Sequence, residues 1–176
     1  MSPSVRRLRA GEAALLRDVR LAALRDAPMA FGSTLAREEA FAPDVWEKRA
    51  AAGAAGIEQV VLVAEPEAGL AMGRLDDDPT AAGLYSMWVA PHARGEGVAR
   101  ALVEAVIAWA TERGARTLTT SVAEGNAGAA RLYTSTGFAD TGRREPLGHS
   151  DGVVAVFERP LGDRSVGGLR PNSAAG

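Results

Sequence analysis

Short, almost wholly apolar runs alternate along the chain with longer stretches in which apolar residues recur every three or four positions. Gln59 to Ala64 (QVVLVA) and Leu84 to Val89 are runs of the first kind, too short for helices, and predict strands covered on both faces. Leu70 to Leu75 follows Gln59–Ala64 through a turn holding Pro66 and Gly69, which predicts a hairpin. Thr117 to Val122, Phe138 to Arg144 and Val153 to Pro160 read as further strands, and Ser4 to Arg9 as an edge-like one. Helical spacing appears in Leu15, Val19 and Ala22, flanked by Leu16 and Leu24, from Gly11 to Asp26, where Pro28 forbids continuation. A short helix through Arg37, Glu38, Glu39 and Phe41 follows the loop Phe31–Thr34, which supplies a capping hydroxyl. Another starts at Pro43 or Asp44, carries Trp46 and runs into Ala50–Ala55. The clearest helix spans Gly97 to about Arg113, with Val98, Leu102, Val106 and Trp109 on one face. Strand, helix and strand from Leu84 to Val122 form a crossover unit, which predicts a parallel, right-handed pair.

Chemistry concentrates at the entrance to that helix. Pro91 stops the preceding strand, and Arg94-Gly95-Glu96-Gly97-Val98-Ala99 then brings two glycines to the point where the first helical N–H groups lie unpaired. A glycine-rich turn at a helix N-terminus is an anion cradle. Its spacing is neither the dinucleotide Gly-x-Gly-x-x-Gly nor a triphosphate loop with Gly-Lys-Ser/Thr. A second cluster runs from Asn126, which can cap a helix, through Ala129, Leu132 and Tyr133 on its apolar face to Gly137, which can end it, and Phe138.

Composition narrows the field. A chain of 176 residues with 47% hydrophobic content supports one domain, predicted over 1–161, and the tail 162–176 has little to bury and is expected to be disordered. A net charge of -2 leaves no basic footprint for nucleic acid or an anionic membrane. Cysteine is absent, which removes disulfides, thiolate metal sites and an acyl-cysteine intermediate. His92 and His149 are too isolated for a metal site, and Asp76-Asp77-Asp78-Pro79 reads as a solvated turn; no metal is expected. With no spanning apolar run and no signal-like N-terminal segment, a cytoplasmic protein is expected, and a homodimer stays open.

Both clusters together resemble the two signature motifs of the GNAT superfamily of N-acetyltransferases: Arg/Gln-x-x-Gly-x-Gly/Ala at Arg94–Ala99, and Asn-x-x-Ala-x-x-Leu-Tyr-x-x-x-Gly-Phe at Asn126–Phe138. The resemblance implies an α/β (α+β) fold with a mixed six- to seven-stranded sheet, flanked by helices and splayed between its fourth and fifth strands. Acetyl-coenzyme A would lie in the splay as co-substrate. Main-chain groups of Met87, Trp88 and Val89 would pair with its pantetheine arm, and Arg94, Gly95, Glu96, Gly97, Val98, Ala99 and Arg100 would hold its pyrophosphate through backbone amides, with Asn126 lining the pocket. Tyr133 would protonate the departing thiolate. Where other branches place a glutamate base, this chain has Ser121 or Gly83, so Glu38, Glu39, Glu124 or a water chain through Ser121 are the candidates for proton removal. The acceptor pocket is expected near Phe31–Phe41 and the loop Arg143–Val153, with Phe31, Phe41 and Trp88 as apolar walls and Glu38 and Glu39 attracting a cationic amine. The function implied is transfer of acetyl to a primary amine of a small molecule by direct attack. A peptide N-terminus as acceptor and a non-catalytic acyl-coenzyme A module are the alternatives.

Overall fold

In the computed structural model, which describes residues 3–162, the apolar runs are strands and the periodic stretches are helices. The expected disordered tail lies, from Asp163 onward, outside the described residues. In chain order the elements are β1 (Val5–Arg7), α1 (Ala13–Asp26), α2 (Leu35–Glu39), α3 (Pro43–Ala55), β2 (Gln59–Ala64), β3 (Gly69–Leu75), β4 (Ala81–Val89), α4 (Val98–Glu112), β5 (Thr117–Ala123), α5 (Ala127–Ser135), β6 (Ala139–Pro146) and β7 (Val153–Pro160). Two 3-10 turns, Pro28–Ala30 and Pro91–Ala93, follow α1 and β4, each begun by the proline that halts the element before it.

The seven strands lie in the order β1-β2-β3-β4-β5-β7-β6. All neighbours are antiparallel except β4 and β5, the pair joined through α4. β4 begins three residues before the apolar run, at Ala81. Ala81 and Gly83 have little strand propensity of their own, and pairing with β3 and β5 on either side imposes the conformation.

Each sheet face has its own core. Val60 and Leu62 pack with Leu102, Val106 and Trp109 of α4, while Val61, Val63 and Leu70 pack with Leu16 and Leu24 of α1 and Trp46 of α3. A side chain as enclosed as Leu102 contributes about 1.5–3 kcal/mol, so the two faces together account for β2 being apolar at nearly every position.

The feature that positions the site is where the sheet fails. Parallel pairing of β4 with β5 covers only Ala81–Gly83 against Thr117–Thr119. Just beyond, the Thr120 hydroxyl donates to the Leu84 carbonyl at 3.1 Å as a last link. Ser86 then takes a left-handed conformation (φ 55°) inside a register shift of β4 against β3, and β4 bends away. From there to Val89 the edge of β4 that faces β5 carries no ladder.

Candidate active site

The open edge of β4 leads directly into the loop before α4. Gly95 and Gly97 have φ of 83° and 84°, a region that side chains other than glycine rarely adopt, and a Cβ on either would meet nothing within 4 Å. Gly97 caps α4, and the first intrahelical bond runs from the Ala101 amide to the Gly97 carbonyl. The amides of Val98, Ala99 and Arg100 therefore have no helical acceptor and face the loop's open side with the positive end of the dipole. Side chains do other work here. Arg94 donates through Nε to the Val89 carbonyl at 3.1 Å and forms an ion pair with Asp26, whose carboxylate also accepts from Trp88 Nε1 at 2.8 Å. The Trp88 hydrogen bond and the Arg94 guanidinium hold the Asp26 carboxyl below its ordinary pKa, against a smaller opposing effect of burial. Arg100 reaches Glu104 and the Ser135 hydroxyl.

Across the fork, Asn126 Oδ1 accepts from the Ala129 amide at 3.1 Å and so starts α5. The helix ends where the Phe138 amide reaches the Tyr133 carbonyl (3.0 Å) and the Gly137 amide reaches that of Thr134 (3.1 Å), a C-cap with Gly137 at φ 91°. That cap sets the Phe138 ring against the Tyr133 ring, edge to face at 5.4 Å. Tyr133 is 4% exposed. Burial pushes its phenol up to about 12, partly offset by the Thr120 hydroxyl beside it, so the group is neutral and keeps its proton at physiological pH.

Both sides open on one cavity of about 670 Å³, bordered by Ser86 and Met87 of β4, Thr120 and Ser121 of β5, and Asn126 and Tyr133 of α5. Its other wall comes from α1–α3, where Glu38 is 2% exposed. Glu38 accepts from Arg20 Nη2 at 2.8 Å and Nε at 3.1 Å, and from Arg49 at 3.3 Å. Burial alone would raise its carboxyl, but the Arg20 hydrogen bonds and charge, with Ser33 and Arg49 behind, hold it below the ordinary carboxylate value. Arg20 also donates to the Ser86 hydroxyl at 3.2 Å, fixing the β4 bend. The aromatic residues are enlisted by the same arginines: Arg20 lies 4.8 Å from the Phe31 ring centre and Arg49 lies 4.6 Å from that of Phe41.

Against known proteins, residues 23–138 match the model of the acetyltransferase (GNAT) family. The chain belongs to the GNAT family. Solved structures agree on the fold. The chain is 19% identical to yncA from Salmonella typhimurium, a putative acetyltransferase determined with acetyl-coenzyme A, over 99% of this chain and 100% of that one, with a TM-score of 0.74. For a GNAT acetyltransferase from Streptococcus pneumoniae the values are 20%, 92%, 100% and 0.76. For a GNAT protein from Kribbella flavida they are 25%, 91%, 98% and 0.66. No curated protein matches the sequence. The mixed, splayed sheet and the family expected from the two motifs are thus found, and acetyl-coenzyme A is the co-substrate of GNAT acetyltransferases.

Within this GNAT domain, Tyr133, Ser121, Asn126, Met87, Phe31 and Glu38 all border the cavity, whereas residues 94–100 lie apart from it at the α4 entrance. Glu39 does not border it and is paired with Arg25 at 2.7 Å on the surface. The Trp88 side chain, expected as a wall, is instead buried against α1 with its indole N–H on Asp26. Glu124 pairs with Arg144 at 3.1 Å. Expecting Glu38 to attract a cation left out its partners, which neutralise it more than once over. Thr120, Arg20 and Arg74 escaped notice in the sequence, although Arg20 stands midway between Leu16 and Leu24 on the buried stripe of α1, a visible irregularity. Gly83 has its own reason for lacking a side chain. A Cβ there would stand 2.4 Å from the Tyr85 hydroxyl, so the Tyr85 ring fills the place another branch gives to glutamate.

Proposed function

We propose that this protein is an N-acetyltransferase that moves acetyl from acetyl-coenzyme A to a primary amine of a small molecule in a ternary complex. The observation that carries this reading is the buried Tyr133 hydroxyl at the fork where β4 and β5 part, between the open strand edge and the cavity. The unpaired edge of β4 at Met87–Val89 offers an added strand a partner, and the free amides at the α4 entrance offer the pyrophosphate donors, with Asn126 on the cavity wall. The amine, arriving through the cavity, forms a C–N bond to the acetyl carbon as the C–S bond breaks. A β4 amide near Val89 donates to the carbonyl oxygen as it becomes negative.

Tyr133 serves the departing sulfur. A phenol near 12 is a weaker acid than a thiol of about 8.5, so complete proton transfer runs uphill. Tyr133 therefore acts by donating a hydrogen bond to the developing thiolate, and solvent supplies the proton that completes the thiol. The ammonium form of the acceptor must lose a proton first. Glu38, held by two guanidinium groups, is a poor base, and the step is assigned to water conducted past Ser121.

The test is an acetylation screen over amines and peptides with detection of released thiol, followed by Tyr133→Phe. Turnover with a small amine supports the reading, whereas acetyl-coenzyme A binding without turnover of any acceptor identifies a non-catalytic module. Tyr133→Phe is expected to lower kcat by on the order of 10²-fold with the melting temperature and acetyl-coenzyme A affinity near those of the parent. Full activity in that variant would remove Tyr133 from the chemistry.

A further inference from the structure

We infer, resting on the acetyltransferase reading above, that the acceptor amine bears a carboxylate, as in an amino acid, and that Arg74 receives it. The charge balance of the cavity points this way: Arg20, Arg37, Arg49 and Arg74 border it against only Glu38 and Glu145. Those two carboxylates are already engaged. Glu38 is shared by Arg20 and Arg49, and Glu145 pairs with Arg143 at 3.4 Å. Among the described residues no carboxylate lies within 4.0 Å of Arg37 or Arg74.

Surplus guanidinium groups around a cavity favour an anionic guest, and a planar fork of N–H donors fits a carboxylate best. The phosphates of acetyl-coenzyme A do not answer this need, because the amides assigned to them border α4 and not this cavity. Arg74 is the better placed of the two unpaired groups. Its Cα pairs with Gly83 across β3 and β4, so its side chain leaves the same sheet face, and the Tyr85 hydroxyl lies over Gly83. One guanidinium and one phenol thus share the exposed rim of the cavity, two donors for one carboxylate, with Asp76 and Glu145 as the acidic groups that also act on the phenol. The cavity lining also includes Trp46, whose buried Nε1 has no acceptor among the described residues. The residues expected to draw a cation into this cavity are thereby replaced by residues that draw an anion, with the amine left free to approach the thioester.

The experiment compares kcat/KM for the twenty amino acids, their amides and their decarboxylated amines, using the full chain, acetyl-coenzyme A and thiol detection. An amide's amine is less basic and more available as free base at neutral pH, so intrinsic reactivity favours the amide. A preference for the acid must therefore come from the protein. At least one acid is expected to exceed both its amide and its amine by tenfold or more. Arg74→Gln should cut that ratio at least tenfold, Arg74→Lys should retain part of it, and neither should alter the melting temperature. Amides or amines turned over as well as the acids, or a preference that survives Arg74→Gln, would overturn the assignment while leaving the acetyltransferase standing. No thiol release with any amine would overturn both.

Discussion

The two flanks of the splay are made of different material. On the α4 side, the groups left open to a ligand are main-chain amides and a strand edge, set by glycine conformation and by the parting of β4 from β5. On the α1–α3 side, they are side chains, cross-braced by the Arg20–Glu38–Arg49 network and stacked on Phe31 and Phe41. A main-chain site can be ruined without unfolding the protein. A braced side-chain site cannot lose a member without losing stability.

The sharpest way to break this contrast is Glu38→Ala. It leaves Arg20 buried with no carboxylate, which costs about 3–5 kcal/mol and should lower the melting temperature by about 10 °C, with acetyl-coenzyme A affinity in the folded protein unchanged. A melting temperature within a degree or two of the parent would show that the network is decorative. Its pH dependence has a definite sign. The Glu38 carboxyl sits lower in the folded chain than in the unfolded one, so its contribution is complete above the unfolded value near 4.3 and drains away as pH falls below it. The difference in melting temperature between the parent and Glu38→Gln should therefore narrow on acidification from about pH 6 to about pH 3.

Gly97→Glu probes the other flank. Strain at φ 84° costs only about 1–2 kcal/mol, while a carboxylate about 4 Å from a phosphate costs up to about 4 kcal/mol near a protein surface. Calorimetry should show acetyl-coenzyme A affinity down by on the order of 10²-fold in a protein that still melts cooperatively. Unchanged affinity would move the phosphate site elsewhere. The smallest effect belongs to Arg94→Ala, whose half-exposed side chain ties the loop to Asp26. A loss of at most about fivefold in affinity is expected, and a loss as large as that of Gly97→Glu would mean that the guanidinium itself holds phosphate.

The same contrast explains what the sequence made legible. Glycine spacing, caps and apolar period are local signals, so the elements and the α4 entrance could be read within a few residues of their true bounds, while the splay came only with the family resemblance. The helix that carries Tyr133 was legible because Asn126 and Gly137 frame it. Glu38 and Arg20, by contrast, are 18 residues apart on different helices, and nothing in their spacing announces that one neutralises the other. A glutamate read alone looks like an available charge; its availability is decided by partners that only packing supplies. Arg74 and Tyr85 belong to the same class, since their proximity follows from the register of β3 with β4.

The ring of Tyr85 across Gly83 also couples the two positions as a single slot for mutation. Any side chain introduced at residue 83 must displace the Tyr85 ring from its present place, so a substitution there also moves the phenol. Shrinking residue 85 while installing an acid at 83 would instead set a carboxylate opposite Arg74 and offset its charge. The conformation of the ring and the size of residue 83 are therefore set together, as one unit of the cavity wall.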